Sequence, residues 1–403
     1  MRILQDAEIK NKKVFLRVDF NVPMHGDQIT DNNRIKAVIP TLKYLVGEKA
    51  KIIIGAHLGR PEGQKSAETS LMPVAKELQR LLNLKVALAP DILSPETEKM
   101  VESLQAGGIV MLENLRWDPE EEQNDAGFAR KLANFAEVYI NDAFAVSHRA
   151  NASVEAIAKF LPSYAGFLLQ EEVEKLSALN NPRSPFVLII GGIKVKDKAG
   201  VIKELAPKSS HILLGGGVAN TFLKAKGEDI GKSVYDEEMV EQCREMLDKY
   251  KDKIILPVDY ATSSVISTGV EKSDTQCHPE LVEGSHPYPK DLSTSARDDN
   301  NFKILDLGPN TIETYAREIK KAKTVFWNGS LGYSEDPEFR TGMKAVAQAM
   351  ALVSGTTVIA GGDTVGFVKE EGLDKNISFI STGGGAALEF LAGEKLPGIE
   401  ALN

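Results

Sequence analysis

Short runs of Val, Ile and Leu recur along the chain and alternate with longer stretches of helical spacing. The runs at 14–18, 51–54, 85–88, 109–112 and 138–140 predict a first set of strands. Those at 186–190, 211–214, 253–256, 324–326, 357–359 and 377–379 predict a second. Most are continuous rather than alternating in polarity, as expected of strands buried on both faces of a parallel sheet. Helical patterns lie between them, for example at 73–82, 125–135 and 340–351. Strand–helix alternation over the whole length predicts an α/β fold: two Rossmann-like lobes, each a parallel sheet flanked by helices.

A chain of 403 residues has room for two large domains. The stretch NNPRSP (180–185) marks a boundary, and the charged helical segment before it (170–179) is suited to join two lobes. The expected organisation is a first lobe at 1–169, a connecting helix and hinge at 170–185, and a second lobe at 186–388.

One segment breaks the pattern. Residues 267–301 read STGVEKSDTQCHPELVEGSHPYPKDLSTSARDDNN, rich in charge, Ser/Thr and Pro and without periodicity. Part of it resembles peptide encoded by palindromic repeat elements inserted into bacterial genes. It reads as a tolerated surface insertion, with a functional loop as the alternative, since long loops cost little closure entropy. Its Cys277, His278 and His286 lack metal-ligand spacing.

Composition narrows the class. Hydrophobic residues make up 42% and charged residues 26%, which suits a globular chain. Forty-eight basic against 57 acidic residues give a net charge of -9, which argues against a nucleic-acid binder but permits a local basic pocket. Two cysteines provide no disulfide framework and fit a reducing compartment. The start, MRILQDAEIKNKK, has no apolar signal region, and no apolar run reaches the ~18 residues of a membrane span. The expectation is a cytoplasmic protein with no membrane partner.

The unusual residues fall immediately after predicted strands. In the first half these clusters are DFNVP, GAHLGRP, ENLRW and NDAFAVSHRA; in the second they are GGIKVKDK, GGGVANTF, WNGSLGYSE, GGDTVGF and STGGGAALEF. In a parallel sheet such positions share the carboxyl edge, where α/β proteins bind ligands. The first-half set brings together Asp19, Asn21, Arg34, His57, Arg60, Arg116, His148 and Arg149. Taken singly, each arginine reads as a surface ion pair and His57 as a core histidine. Together, four arginines suit a small, multiply anionic ligand, because the guanidinium fork pairs with carboxylate or phosphate.

The second-half clusters are glycine-rich and open helices. Glycine lets backbone amides approach phosphate oxygens. Asp363 has the chemistry of a magnesium-side ligand, and Lys194, Lys198 and Lys224 could contact phosphates. The sequence GEDIGKS (227–233) is one residue short of a phosphate loop, and no G-x-S-x-G or H-E-x-x-H occurs. An anion-binding half and a nucleotide half fit phosphoryl transfer, which needs positioned cations more than a covalent nucleophile.

These motifs resemble those of the phosphoglycerate kinase family. The matches are RVDFNVP (17–23), Arg34, AHLGRP (56–61), ENLRW (113–117), NDAFAVSHRA (141–150), GGIKVKDK (191–198), GGGVANTFLK (215–224), DLGP (306–309), WNGSLGYSE (327–335), GGDT (361–364) and STGGGA (381–386). They run in family order across nearly the whole chain outside the insertion. The resemblance implies reversible phosphoryl transfer between ATP and 3-phosphoglycerate, giving ADP and 1,3-bisphosphoglycerate with Mg²⁺. It implies a hinged monomer whose C-terminal segment (389–403) packs back on the first lobe. Asp19, Phe20, Asn21, Arg34, His57, Leu58, Gly59, Arg60, Arg116 and Arg149 would contact the triose phosphate. Lys198, Glu335, Gly361, Gly362, Asp363 and Thr364 would contact the nucleotide, with Asp363 toward the metal. Arg34 and Lys224 would flank the moving phosphoryl group, and the amides around Gly384 and Gly385 would face its oxygens.

Some positions depart from the family pattern, among them Ile193, Lys196, Ser330, Ala145 and Asn151. None removes a charged residue named above. The competing readings are a catalytically lapsed nucleotide-binding relative or scaffold, and a different ATP-dependent carboxylate activator. If 267–301 is a tolerated insertion, a chain lacking it keeps its turnover in a coupled assay of ADP formation from ATP and 3-phosphoglycerate. Loss of turnover in a folded deletion variant would make the segment functional.

Overall fold

The structure, a computed structural model, describes residues 1–265, 271–272 and 301–403. Apart from 271–272 and Asn301, the expected insertion, with Cys277, His278 and His286, lies outside the described residues. Contacts divide the chain into two units. One comprises Met1–Leu176, Gly385–Phe390 and Glu394–Asn403; the other comprises Ser177–Gly384 and Leu391–Gly393.

The first unit is built on strands β1 (Lys13–Val18), β2 (Lys51–Gly55), β3 (Val86–Leu88), β4 (Ile109–Met111), β5 (Val138–Asp142) and β6 (Ser163–Ala165). They form one parallel sheet in the order β3-β4-β2-β1-β5-β6. Both faces are covered: Val14 and Leu16 on one side of β1 and Phe15 on the other are fully buried, as are Ile52, Ile53 and Ile54. The helix Asn33–Gly47 turns Ile35, Val38, Leu42 and Leu45 inward at helical spacing. Each such buried side chain contributes about 1.5–3 kcal/mol. The chain's end belongs to this unit. The Gly398 N–H donates to Ser147 at 2.9 Å, Asn141 Nδ2 donates to the Gly398 carbonyl at 3.0 Å, and Arg2 N–H donates to Leu402.

The second unit has β7 (Phe186–Ile190), β8 (His211–Leu214), β9 (Ile254–Ile255), β10 (Tyr260–Val265), β11 (Glu271–Lys272), β12 (Phe302–Leu307), β13 (Thr324–Asn328), β14 (Thr356–Ala360) and β15 (Phe379–Ile380). Six of these make a second parallel sheet, β9-β8-β7-β13-β14-β15. Val187, Ile189, Val325, Trp327 and Ile359 anchor its core. Tyr315 is fully buried and places its hydroxyl on the Leu214 carbonyl at 2.6 Å, which satisfies the one polar atom of an otherwise apolar ring.

The sequence does not predict the small antiparallel sheet β11-β10-β12. There Tyr260 faces Leu307 and Ser264 faces Phe302, with a bulge between Ala261 and Thr262. YATSSV is mostly polar and FKILDL is broken by Lys303 and Asp306, so continuous hydrophobic runs do not reveal these strands. Short β6 was also not expected. Elsewhere strand ends shift by a residue or two: β5 and β13 run on through Asn141–Asp142 and Asn328, because parallel pairing continues past the apolar stretch.

Asp306 in β12 is buried and accepts N–H bonds from Leu307 at 2.8 Å and Gly342 at 2.9 Å. Burial pushes its carboxyl up to about 7. The unfolded chain has an ordinary carboxyl near ~3.9, so folding favours the protonated form. That contribution is complete below the unfolded pKa and is lost as pH rises through about 7. Urea melts between pH 5 and 7 should show wild-type stability declining relative to Asp306→Asn by on the order of 1 kcal/mol per pH unit. A pH-independent difference would contradict this.

Candidate functional site

In the first unit the chain leaves β1 toward β2 on one side, whereas β5 lies on β1's other side. This switch opens a crevice at the carboxyl edge. The loops there are tied to each other by side chains. Asp19 Oδ1 accepts the Asn21 N–H at 3.0 Å, and Asn21 Oδ1 accepts the Gly59 N–H at 2.9 Å. Asn114 caps the turn Leu115–Trp117 and donates to the Leu58 carbonyl at 2.7 Å. Gly59, at φ +65°, also receives Arg116 Nη1 on its carbonyl at 3.0 Å. Both its backbone polar groups are therefore engaged, in a left-handed conformation that glycine adopts without strain.

Arg34, in the first turn of its helix, is ion-paired with Asp19. Arg116 pairs with Glu122 at 3.2 Å. Arg149 is exposed and lies 3.3 Å from His148 Nε2. Arg60 is also exposed. Phe20 and Leu58 are buried, so their side chains belong to the wall.

His57 is 2% exposed, and its pKa is held well below the ordinary histidine value. Burial is the largest cause; the charges of Arg17, Arg116, Arg34 and Arg149 follow. A neutral imidazole thus sits within electrostatic reach of four guanidinium groups.

Arg17 was not among the candidates. It is buried at the end of β1, with Nε donating to Ser153 Oγ at 2.7 Å, Nη1 to the Val18 carbonyl, and Nη2 3.8 Å from Glu121. Ser153 Oγ in turn donates to Glu121 at 2.5 Å. The signal was available: an arginine inside the apolar run VFLRV has to be paired when both faces of a strand are covered.

In the second unit the switch lies between β7 and β13. The loops after these strands touch backbone to backbone: Gly191 N–H donates to the Asn328 carbonyl at 2.9 Å and Gly192 N–H to Ser330 at 2.7 Å. A methyl on Gly191 would stand 2.2 Å from the Ser330 oxygen. Thr364 Oγ1 receives the Gly329 N–H at 2.9 Å. Asp363 is exposed in the first turn of the helix Gly362–Glu370. Lys198 stands at the start of the helix Ala199–Leu205. Its pKa is lowered chiefly by burial, against the opposing charges of Asp197 and Asp363. Glu335 is exposed on the loop after β13. Gly384, at φ +52°, precedes the helix Gly385–Leu391.

Lys224 is not brought to this edge. It is exposed in the last turn of the helix Gly216–Lys226, about 12 Å along the axis from the glycine end. Lys224 is expected from the sequence to contact phosphates, but a helix carries its ninth residue away from its start. Asn328 was overlooked. It is buried, its Nδ2 donates to the Ala360 carbonyl at 2.8 Å, and its Oδ1 has no hydrogen-bond partner among the described residues. An asparagine closing the apolar run TVFWN was the signal.

A family model described as phosphoglycerate kinase matches residues 4–394. Phosphoglycerate kinase of Moorella thermoacetica is 45% identical, over 99% of this chain and 98% of its own length. That of Thermomicrobium roseum is 43% identical, over 100% and 99%. Among solved structures, phosphoglycerate kinase from Coxiella burnetii superposes with a TM-score of 0.82 at 36% identity, covering 99% of this chain and 98% of that one. The enzyme from Pyrococcus horikoshii OT3 gives 0.83 at 32%, covering 100% and 98%. Matches of this extent, on both parallel sheets and their loop clusters, mean that the chain belongs to the phosphoglycerate kinase family.

Proposed function

We propose that this chain transfers a phosphoryl group reversibly between ATP and the carboxylate of 3-phosphoglycerate, giving ADP and 1,3-bisphosphoglycerate. The observation that carries this reading is the set of arginines around neutral His57: Arg17 near the end of β1, Arg34 in the first turn of its helix, and Arg116 and Arg149 after β4 and β5. A phosphorylated carboxylic acid has the charge and size to meet several of those guanidinium groups at once. Asp19, Asn21, His57, Gly59, Arg60, Arg116 and Arg149 form its site, walled by Phe20 and Leu58.

The substrate carboxylate is ionised at neutral pH, so it attacks without a general base. Transfer is in line and direct, after hinge closure brings the two substrates together. Arg34, restrained by Asp19, neutralises charge on the migrating group. We assign the second flanking cation to Lys198 rather than Lys224, because Lys198 is partly desolvated and shares the field of Asp363. A desolvated charge acts more strongly on a ligand than a hydrated one. Amides around Gly384 and Gly385 serve the phosphoryl oxygens, and Glu335 with Gly361 to Thr364 serve the nucleotide.

Magnesium fits this site through one carboxylate. Among the described residues no group of three or more His, Cys, Asp or Glu could hold a metal, and Mg²⁺ is commonly held by one or two carboxylates plus substrate phosphates. Asp363 is that carboxylate; the ion would offset phosphate charge. The enzyme acts as a monomer in the cytoplasm. Buried Cys243, its thiol pushed up to about 12, suits a reducing setting. No helix among the described residues is long and apolar enough to cross a membrane.

A coupled assay for ADP formation from ATP and 3-phosphoglycerate tests the reading; a folded protein without turnover would favour a lapsed relative. Arg34→Ala and Lys198→Ala should fold and each lose at least about a hundredfold in kcat. Lys224→Ala should stay within a few-fold of wild type. A collapse in Lys224→Ala with little effect in Lys198→Ala would reverse the assignment.

A further inference from the structure

A second recess opens on the first unit, lined by none of the residues assigned to the triose phosphate. Its volume is about 580 Å³, within the usual range for small-molecule sites. Three segments line it: Asp27 in the turn after β1, residues between Lys65 and Lys76 after β2, and Trp117 in the turn after β4.

Its walls combine a fixed aromatic surface with one lysine, Lys76, that has no ion pair among the described residues. Trp117 Nε1 donates to Thr69 Oγ1 at 2.8 Å, and the Thr69 carbonyl is held by Asn114 Nδ2 at 2.8 Å. The only polar atom of the indole is thereby satisfied, so what the ring offers the recess is π surface. Met72 is 44% exposed and lines the same recess. Lys76 stands one helical turn beyond Met72, so both share a face of the helix Met72–Leu82. Lys65, the other lysine of the lining, already lies 2.5 Å from the Asp91 carboxylate. Exposed Asp27 disfavours a ligand with several negative charges.

We propose that this recess binds a planar aromatic monoanion, an aryl carboxylate or sulfonate, with its ring against Trp117 and Met72 and its anionic group at Lys76. Stacking uses the indole face and the soft methionine, and the ion pair orients the ring. The inference is independent of the catalytic reading, since binding is read without turnover.

The chain has two tryptophans, and Trp327 is fully buried in the other unit. Protein labelled with ¹⁵N-tryptophan therefore gives two indole N–H signals, assigned with Trp117→Phe. Titration with 2-naphthoate should move the Trp117 signal saturably and leave that of Trp327 in place. Lys76→Glu should weaken binding at least about tenfold with an unchanged circular dichroism spectrum. Neutral 2-naphthamide should bind more weakly than the acid, and saturating 3-phosphoglycerate should not displace naphthoate. An unmoved Trp117 signal, a non-saturating shift, equal affinity in Lys76→Glu, or displacement by 3-phosphoglycerate would each overturn the proposal.

Discussion

Like charges cannot be gathered at short range without counter-charges, and the first unit is arranged around that constraint. Two unit charges 4 Å apart interact by about 4 kcal/mol near a protein surface, so four close guanidinium groups would repel one another severely. Three of them are each given one carboxylate: Glu121 for Arg17, Asp19 for Arg34 and Glu122 for Arg116. His57 is kept neutral by burial and so adds no further positive charge. Partial compensation leaves the set stable while preserving attraction for an anion. It also explains why acidic residues occur among the cationic loops of an anion site.

The second unit meets the opposite need, to admit a charged ligand close to backbone. Side chains are removed where the loops after β7 and β13 meet, and Gly191 and Gly329 pack against each other's backbone. The amides of that crevice are then limited by main-chain geometry alone. Asn328, whose buried Oδ1 has no hydrogen-bond partner among the described residues, supplies an acceptor at the end of β13.

Both large sheets were legible in the sequence because buried parallel strands leave continuous apolar runs, and all eleven predicted runs overlap strands of the two sheets. The edge positions of Asp19, His57, Arg116 and Arg149 followed from those strands, whereas Arg34 lies in the first turn of the helix Asn33–Gly47. What sequence could not supply was distance along a helix axis, which separates Lys224 from the glycines, and the pairing state of a charge inside a strand, which hides Arg17. The antiparallel strands β10 and β12 escaped because neither is a continuous apolar run and their pairing partners are far apart in the chain. Their partnership depends on tertiary context that no local pattern encodes.

That antiparallel pairing has a consequence for tolerance of added sequence. Ser264 and Phe302 are direct neighbours in the ladder, and Glu271–Lys272 pair with the other edge of β10, so the described strands that flank 273–300 belong to one small sheet. Strand pairing clamps the two ends, and length between them costs only slowly growing closure entropy. Added length at such a position would load the small antiparallel sheet first, since the six parallel strands beside it are paired with one another and not with β10 or β12.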